Sequence, residues 1–211
     1  MQITVPSKWE EVTVKQFDEL LAASQDKDLT IAEREVKIIS ILTGLSIQDV
    51  LNLDAPSFQA ISDKLNFLNT KPSKVMPKDK ITLNEKEYHV DLYPKNFTAG
   101  QFLDYKVIAG EEIDKKTARL IACFLYPVGA SYNDGSYDVE DVVNTINEYM
   151  SVVEVTGYTN FFMIQYVAYA NSLLEYSKRQ LKRSRGMSKQ QKQEVLKNLD
   201  KGKALINSFG I

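Results

Sequence analysis

Thr13-Val14-Lys15-Gln16-Phe17 recurs later in the chain as Thr98-Ala99-Gly100-Gln101-Phe102. In both stretches a threonine is followed three positions later by a glutamine. This spacing is typical of a capping box, which satisfies free backbone N–H groups at the start of a helix. A hydrophobic residue precedes each threonine and is placed to pack on the phenylalanine as a hydrophobic staple. The two stretches therefore predict two helices that the chain enters in the same way.

The shift that carries Thr13 onto Thr98 aligns more of the chain without a gap. Arg34 falls on Arg119, and Gly44 falls on Gly129, so each glycine stands at the same distance from its threonine. A seven-residue insertion after Gly129 then restores the match for one further helix, which begins near residue 138. Diverged duplication of one helical unit explains this pattern. Convergent use of common capping residues is the alternative explanation.

Caps, glycine stops and hydrophobic periodicity predict the secondary structure. The predicted helices are 14–24, 31–43, 47–53, 58–68, 99–109, 115–126, 139–151, 160–185 and 189–208. The predicted strands are 3–5, 80–83 and 88–92, with the last two joined as a hairpin. The fold class expected is mainly α: a multi-helix bundle of two diverged helical repeats, with a small β-hairpin or three-stranded sheet.

The domain organisation follows from a proline- and lysine-containing stretch that begins at residue 71. We expect residues 1–70 to form the first helical repeat and 71–92 a linker and β-hairpin. Residues 93–155 then form the second repeat, and 156–211 a long core helix followed by a basic C-terminal helix. Because 211 residues suffice for one hydrophobic core, the four segments are expected to form one compact unit.

Composition and charge narrow the class of protein. The N-terminal residues lack a signal-peptide pattern, and no run approaches the roughly 18 apolar residues of a membrane span, so we expect a cytoplasmic protein without a membrane partner. Cys123 is the single cysteine and lies in an apolar run, which predicts a small buried hydrophobe. The net charge of −2 conceals an asymmetry. Residues 178–203 hold ten Lys or Arg against two acidic residues, which leaves the rest of the chain near −10.

Catalytic and metal-binding patterns are absent from the sequence. The single histidine, His89, alternates with its neighbours in a predicted strand, and no cysteine pair or phosphate-binding glycine motif accompanies it. The acidic loop 133–138 does not fit a calcium-binding loop, because the template would place Ala130 and Tyr132 at ligand positions. A tight turn explains the loop. We therefore expect no enzyme, no catalytic or metal-binding residue and no cofactor.

Two groups of residues near the C-terminus are candidates for partner binding. The first lies on a predicted helix that is apolar on most faces, which favours a core helix packed by both repeats and, in a sharper interpretation, a subunit interface. Its tyrosines are Tyr166, Tyr169 and Tyr176. The second is a basic stripe: Lys178, Arg179, Lys182, Arg183 and Arg185. Three interpretations stay open for the stripe: a solvated face, a salt-sensitive contact with the acidic body of a neighbouring subunit, or DNA contact.

One part of the chain resembles a known family. Ile38-Ile39-Ser40-Ile41-Leu42-Thr43-Gly44-Leu45-Ser46, continued by 49–53 and 65–68, resembles the helical unit of tailed-bacteriophage tail assembly chaperones. The preceding 9–17 is similar to the start of small tail and neck proteins of phages that infect Bacteroidetes, including the crAss-like group. The resemblance implies a helical protein that takes part in phage tail assembly, and it assigns a functional role to no individual residue.

The resemblance and the charge asymmetry together lead to a functional expectation. We expect a non-enzymatic bacteriophage virion structural protein, a head-to-tail connector or tail ring component. It would form a homo-oligomeric ring in which the acidic body of one subunit contacts the basic tail of the next. It would also contact other phage structural proteins such as portal, ring or tail proteins. It would lie in the tail or neck of the virion, and in the host cytoplasm during assembly. The alternatives are a tail assembly chaperone that binds the tape-measure protein, and a DNA-binding packaging protein.

Overall fold

The computed structural model describes residues 3–73, 75–93, 96–184 and 186–208, without the side chains at 163–167, 169, 170, 182 and 202–208. The protein is mainly helical with a small antiparallel sheet, which confirms the predicted fold class. The helices are α1 (Val14–Gln25), α2 (Ile31–Thr43), α3 (Ile47–Leu51), α4 (Ala55–Lys64), α5 (Ala99–Gly110), α6 (Lys116–Ala122), α7 (Val139–Tyr149), α8 (Val152–Arg183) and α9 (Lys189–Ser208). Antiparallel pairing in the order β1-β2-β3 joins the strands β1 (Lys80–Leu83), β2 (Lys86–Val90) and β3 (Leu125–Pro127).

Capping boxes start many of these helices, as predicted. In each, the cap hydroxyl accepts the backbone N–H three positions later, and the side chain at that later position accepts the backbone N–H of the cap. These boxes form at Thr13 and Thr98, and also at Thr30, Ser46 and Ser188, where the sequence repeats the spacing of Ser or Thr with Gln, Glu or Asp three positions later. Asp138 caps α7 differently, because its carboxylate accepts the N–H of Glu140 at 2.9 Å.

The prediction for the long helix was wrong at its start. α8 begins at Val152 and not near residue 160, because Ser151 and Glu154 form a capping box that the prediction overlooked. The expected boundary between residues 155 and 156 therefore falls inside a helix. Similarly, α4 starts at Ala55 and not at 58, since Asp54 caps it by accepting the N–H of Ser57 at 2.7 Å.

The third strand of the sheet is not the predicted one. Residues 3–5 form no strand, and the predicted helix 115–126 ends at Ala122. The chain after it becomes β3, where Leu125 lies opposite Val90 of β2. The N–H of Asp91 also donates to the carbonyl of Phe124 at 2.8 Å. The edge strand β2 of the hairpin therefore pairs with a segment that sequence periodicity alone assigns to a helix.

The two predicted repeats share local contacts. The side chain of Gln16 donates to the carbonyls of Ile41 and Leu42 at the end of α2, each at 3.4 Å. Gln101 in the second unit donates to the carbonyl of Cys123, just after α6, at 3.2 Å. A glutamine in the first turn of each unit thus ties that turn to the end of the following helix.

The aligned arginines form a second shared contact. Arg34 donates to the carbonyl of Leu29 at 3.4 Å, and Arg119 donates to the carbonyl of Asp114 at 3.0 Å. Leu29 and Asp114 are themselves related by the shift that carries Thr13 onto Thr98. The second unit differs in length, because α6 stops after 7 residues where α2 continues for 13.

The first turns of α8 join the two units. One core cluster is formed mainly by side chains of α1 to α4 and includes Val152 and Val153. A second cluster is formed mainly by side chains of the sheet, α6 and α7 and includes Val155 and Phe162. Backbone hydrogen bonds from Val152 to the carbonyl of Val12 and from Val14 to that of Met150 hold the two chain segments together, at 2.9 and 3.0 Å. The start of α8, from Val152 to Phe162, therefore belongs to both cores. Most side chains of the apolar run 161–174, from which a core helix is predicted, lie outside the described residues.

The proline-containing segment between α4 and β1 lies across the start of α8. The Trp9 ring N–H donates to the carbonyl of Thr70 at 2.9 Å, and the Tyr158 hydroxyl donates to the carbonyl of Lys78 at 3.0 Å. Gly157 of α8 faces this segment so closely that a Cβ there would lie 2.6 Å from the carbonyl oxygen of Val75. We call residues 70–78 the strap, of which Lys74 lies outside the described residues.

Candidate assembly surfaces

Helix α5 has apolar residues on nearly every side, yet most of it faces solvent. Its buried residue is Gln101, while Phe102, Leu103 and Val107 are 38%, 59% and 55% exposed. A helix that is apolar all round is normally covered by other parts of a protein, and adjacent exposed apolar side chains mark contact surfaces. We call the surface of Phe102, Leu103 and Val107 the α5 face.

Hydrogen bonding explains why a glutamine of α5 points inward. The Gln101 Nε2 group donates to the Cys123 carbonyl, and its Oε1 atom accepts the Thr98 N–H at 2.7 Å. Tyr105 lies on the same side of the helix, with its ring centre 5.7 Å from that of Phe124. Because a helix turns by about 100° per residue, this orientation leaves Leu103 on the opposite, solvent-facing side.

Negative charge borders the C-terminal end of the α5 face. Glu111 and Glu112 directly follow the last residue of α5, and both are exposed. Asp104 accepts a hydrogen bond from the Tyr132 hydroxyl at 2.7 Å. Lys106 is exposed on the same side of the helix, with its ammonium 5.4 Å from the centre of the Phe102 ring in a cation–π contact. The surface is thus mainly apolar with one lysine, and it is acidic at its C-terminal end.

The structure separates the residues of the predicted basic stripe. Lys178 faces α9, where its ammonium lies 2.7 Å from a carboxylate oxygen of Asp200 and 3.5 Å from one of Glu175. The hydrogen bond to Asp200 raises the pKa of Lys178. This lysine is therefore part of the contact between α8 and α9.

The other described members of the stripe face solvent. Arg179 and Arg183 are exposed, and Tyr176 is 60% exposed on the same helix, one turn beyond Leu173, which is 47% exposed. The helical period places Leu173, Tyr176, Gln180 and Arg183 on the side of α8 opposite Lys178, with Arg179 at the edge of that side. We call Leu173, Tyr176, Arg179 and Arg183 the outer α8 face.

The remaining predicted partner-binding residues lie outside what the structure describes. Arg185 is not among the described residues, and the side chains of Tyr166, Tyr169 and Lys182 are not described either. The outer α8 face thus contains the three predicted residues Tyr176, Arg179 and Arg183. The α5 face was missed by sequence reasoning, although a signal existed, since the apolar residues of 99–110 follow no single stripe.

His89, Cys123 and the acidic loop 133–138, the parts of the sequence considered for catalysis or metal binding, have contacts that fit a role in the fold. His89 is half-buried in β2, with its ring centre 5.5 Å from that of Tyr126. Cys123 is buried, which raises the pKa of its thiol to about 12. In the acidic loop, the carboxylate of Asp134 accepts the N–H of Ser131 at 2.6 Å and that of Ser136 at 2.9 Å. The Ser136 hydroxyl is the main cause of the lowered pKa of Asp134, followed by these backbone bonds.

Within the described residues, no group of three or more His, Cys, Asp or Glu side chains is placed to hold a metal ion. None of the described helices combines the length and the apolar character that crossing a membrane requires. Comparisons of the chain with protein-family models, with curated proteins and with solved structures found no match.

Proposed function

We propose that the protein is a non-enzymatic structural protein that acts by assembling through protein–protein interfaces. The observation that carries this proposal is the α5 face, where the large apolar side chains of Phe102, Leu103 and Val107 are 38%, 59% and 55% exposed. Covering the exposed parts of Leu103 and Val107 would contribute about 1 kcal/mol each, so one such contact is weak and a repeated contact is strong. Surfaces of this kind suit a protein that works as many copies together.

The more specific role that we propose is a component of the head-to-tail connector or tail ring of a bacteriophage virion. Its support is the resemblance of residues 38–68 to tail assembly chaperones and of 9–17 to phage tail and neck proteins. Two surfaces of opposite charge on different helices also suit the head-to-tail contacts that close a ring. Portal, ring or tail proteins would be the neighbours of such a ring.

The first test measures the mass of the purified protein by light scattering across a range of concentration and salt. We expect oligomers at low salt that dissociate as the salt concentration rises, because exposed charges are screened. A protein that stays monomeric at low salt, with normal tails in particles that lack its gene, would overturn the proposal.

The second test separates a virion component from a tail assembly chaperone. Mass spectrometry of purified particles should detect the protein at several copies per particle. Absence from particles, with co-purification of a long helical tape-measure partner from infected cells, would replace the ring role with the chaperone role. Duplex DNA binding that falls steeply with salt and with reversal of Arg179 and Arg183 would instead favour a packaging protein.

A further inference from the structure

We propose that the partner of the α5 face is the outer α8 face of a second copy of this chain. The inference rests on the proposed assembly function and names the two surfaces that meet. Both are exposed in the same chain, so they do not cover each other within one copy. The carboxylates of Glu111 and Glu112 follow the α5 face, and the outer α8 face ends in Arg179 and Arg183, so the charges next to the two apolar parts have opposite sign.

The order of these parts selects the relative direction of the two helices. On α5, Leu103 and Val107 come first, and the carboxylates of Glu111 and Glu112 follow. On α8, Leu173 and Tyr176 come first, and the guanidinium groups of Arg179 and Arg183 follow. Parallel helices therefore bring apolar side chains together and place carboxylates beside guanidinium groups. The antiparallel arrangement would place the carboxylates against the apolar part.

The spacing of the two surfaces agrees with this direction. At a rise of about 1.5 Å per residue, Arg183 lies about 15 Å along α8 from Leu173. Gly110, the last residue of α5, lies about 10 Å along the helix from Leu103, and Glu111 and Glu112 follow it directly. On both helices the charged residues therefore begin within about 15 Å of the first apolar residue.

The contact is heterologous, because it joins two different surfaces. Each copy keeps one surface of each kind available after it has bound a neighbour, so the contact repeats from copy to copy. Such repetition produces a closed ring or an open filament, according to the rotation between neighbours. Lys178 takes no part, since it pairs with Asp200 inside each copy.

Charge reversal tests the electrostatic part of the contact. Arg179→Glu with Arg183→Glu should weaken assembly at low salt by roughly tenfold or more, because two attractive pairs become repulsive. Glu111→Arg with Glu112→Arg should weaken it similarly. Mixing the two double variants should restore assembly, since each then offers the surface that fits the other. Lys27→Glu with Lys64→Glu, a reversal at exposed lysines of the first unit, is the control and should leave assembly unchanged.

Cysteine cross-linking tests the apolar part and the direction. A Leu103→Cys copy mixed with a Leu173→Cys copy should form a disulfide-linked dimer under mild oxidation, because the buried Cys123 stays unreactive. Leu21→Cys, at an exposed leucine of α1, is the matched control and should not link to Leu173→Cys. Assembly of the unmodified protein without charge rescue and without this cross-link would overturn the docking and leave the assembly function standing. A protein that does not self-associate at all overturns both.

Discussion

A single buried glutamine organises the start of the second unit. Gln101 is 2% exposed and satisfies two backbone groups, the Thr98 N–H and the Cys123 carbonyl. A buried polar group that loses its hydrogen-bond partner stays unpaired, which carries a desolvation cost. An exposed group avoids this cost, because water replaces the lost partner. This one residue therefore fixes both the start of α5 and its orientation, and through it which side of the helix faces solvent.

Replacing Gln101 by alanine should lower the free energy of unfolding by about 2 to 3 kcal/mol, because two backbone groups lose their partner and a cavity opens. Urea unfolding followed by circular dichroism measures the change. Gln59→Ala is the matched control, since Gln59 is an exposed helical glutamine whose side chain bonds Asp63. A loss no larger for Gln101→Ala than for Gln59→Ala would contradict this account.

The ion pair between Arg119 and Glu140 makes stability depend on pH. The hydrogen bonds from Arg119, one of them 3.0 Å long, hold the pKa of Glu140 below its usual value of 4.5. Because the folded-state pKa is lowered, this contribution is present above pH 4.5 and is lost as the pH falls through the lowered value. Glu140 is 53% exposed, so solvent screening keeps the contribution below about 1 kcal/mol.

Glu140→Gln should therefore reduce the free energy of unfolding at pH 7, and the gap to the unmodified protein should be smaller at pH 3, because the carboxylate takes up its proton as the pH falls below 4.5. Urea midpoints at the two pH values measure this. Glu194→Gln, at an exposed glutamate of α9, should give the same small difference at both. An undiminished gap for Glu140→Gln at pH 3 would show that the pair does not act through its charge.

At the scale of elements, the strap is the connection that depends most on one small side chain. Its backbone at Val75 approaches α8 at Gly157, where any Cβ would collide with a carbonyl oxygen and not with a flexible side chain. Trp9 and Tyr158 hold the strap before and after this point. Because backbone cannot rotate away as a side chain can, the close approach restricts residue 157 to glycine.

Gly157→Ala should lower the free energy of unfolding by about 1 to 3 kcal/mol, even though alanine is the better helix former. Thermal unfolding measures the change. Gly110→Ala is the control, because Gly110 is also helical and nothing lies within 4 Å of the added methyl group. Equal or greater stability of Gly157→Ala would mean that the strap does not press on α8.

The elements also show what sequence reasoning could reach. Capping boxes are local, so the helix starts were predictable, and the start of α8 could have been found from Ser151 and Glu154. The strand β3 at Leu125–Pro127 could not have been predicted from the local sequence, because it depends on pairing with β2, which is distant in the chain. The inward turn of Lys178 likewise depends on Asp200 of another helix. The exposure of α5 follows from tertiary packing, although its unusual apolar pattern was visible.

For the whole molecule, the buried thiol reports on opening of the second core. Burial raises the pKa of Cys123 to about 12, so at pH 8 the thiolate is scarce and the sulfur is covered. We expect labelling by a disulfide reagent at pH 8 to be at least about a hundredfold slower in the native protein than in denaturant. Leu21→Cys should add one rapidly labelled thiol. Rapid labelling of the unmodified native protein would mean that the core opens readily.

The pairing of Val12 with Val152 has a consequence for synthesis. The core of the first unit contains Val152 and Val153, so that core cannot close until the ribosome has added these two valines. The residues of α5, with their apolar side chains, are therefore synthesised before either core is complete. Neither core is complete before the start of α8 has been made. Self-association before that point is thus disfavoured, because the outer α8 face is translated last of the paired surfaces.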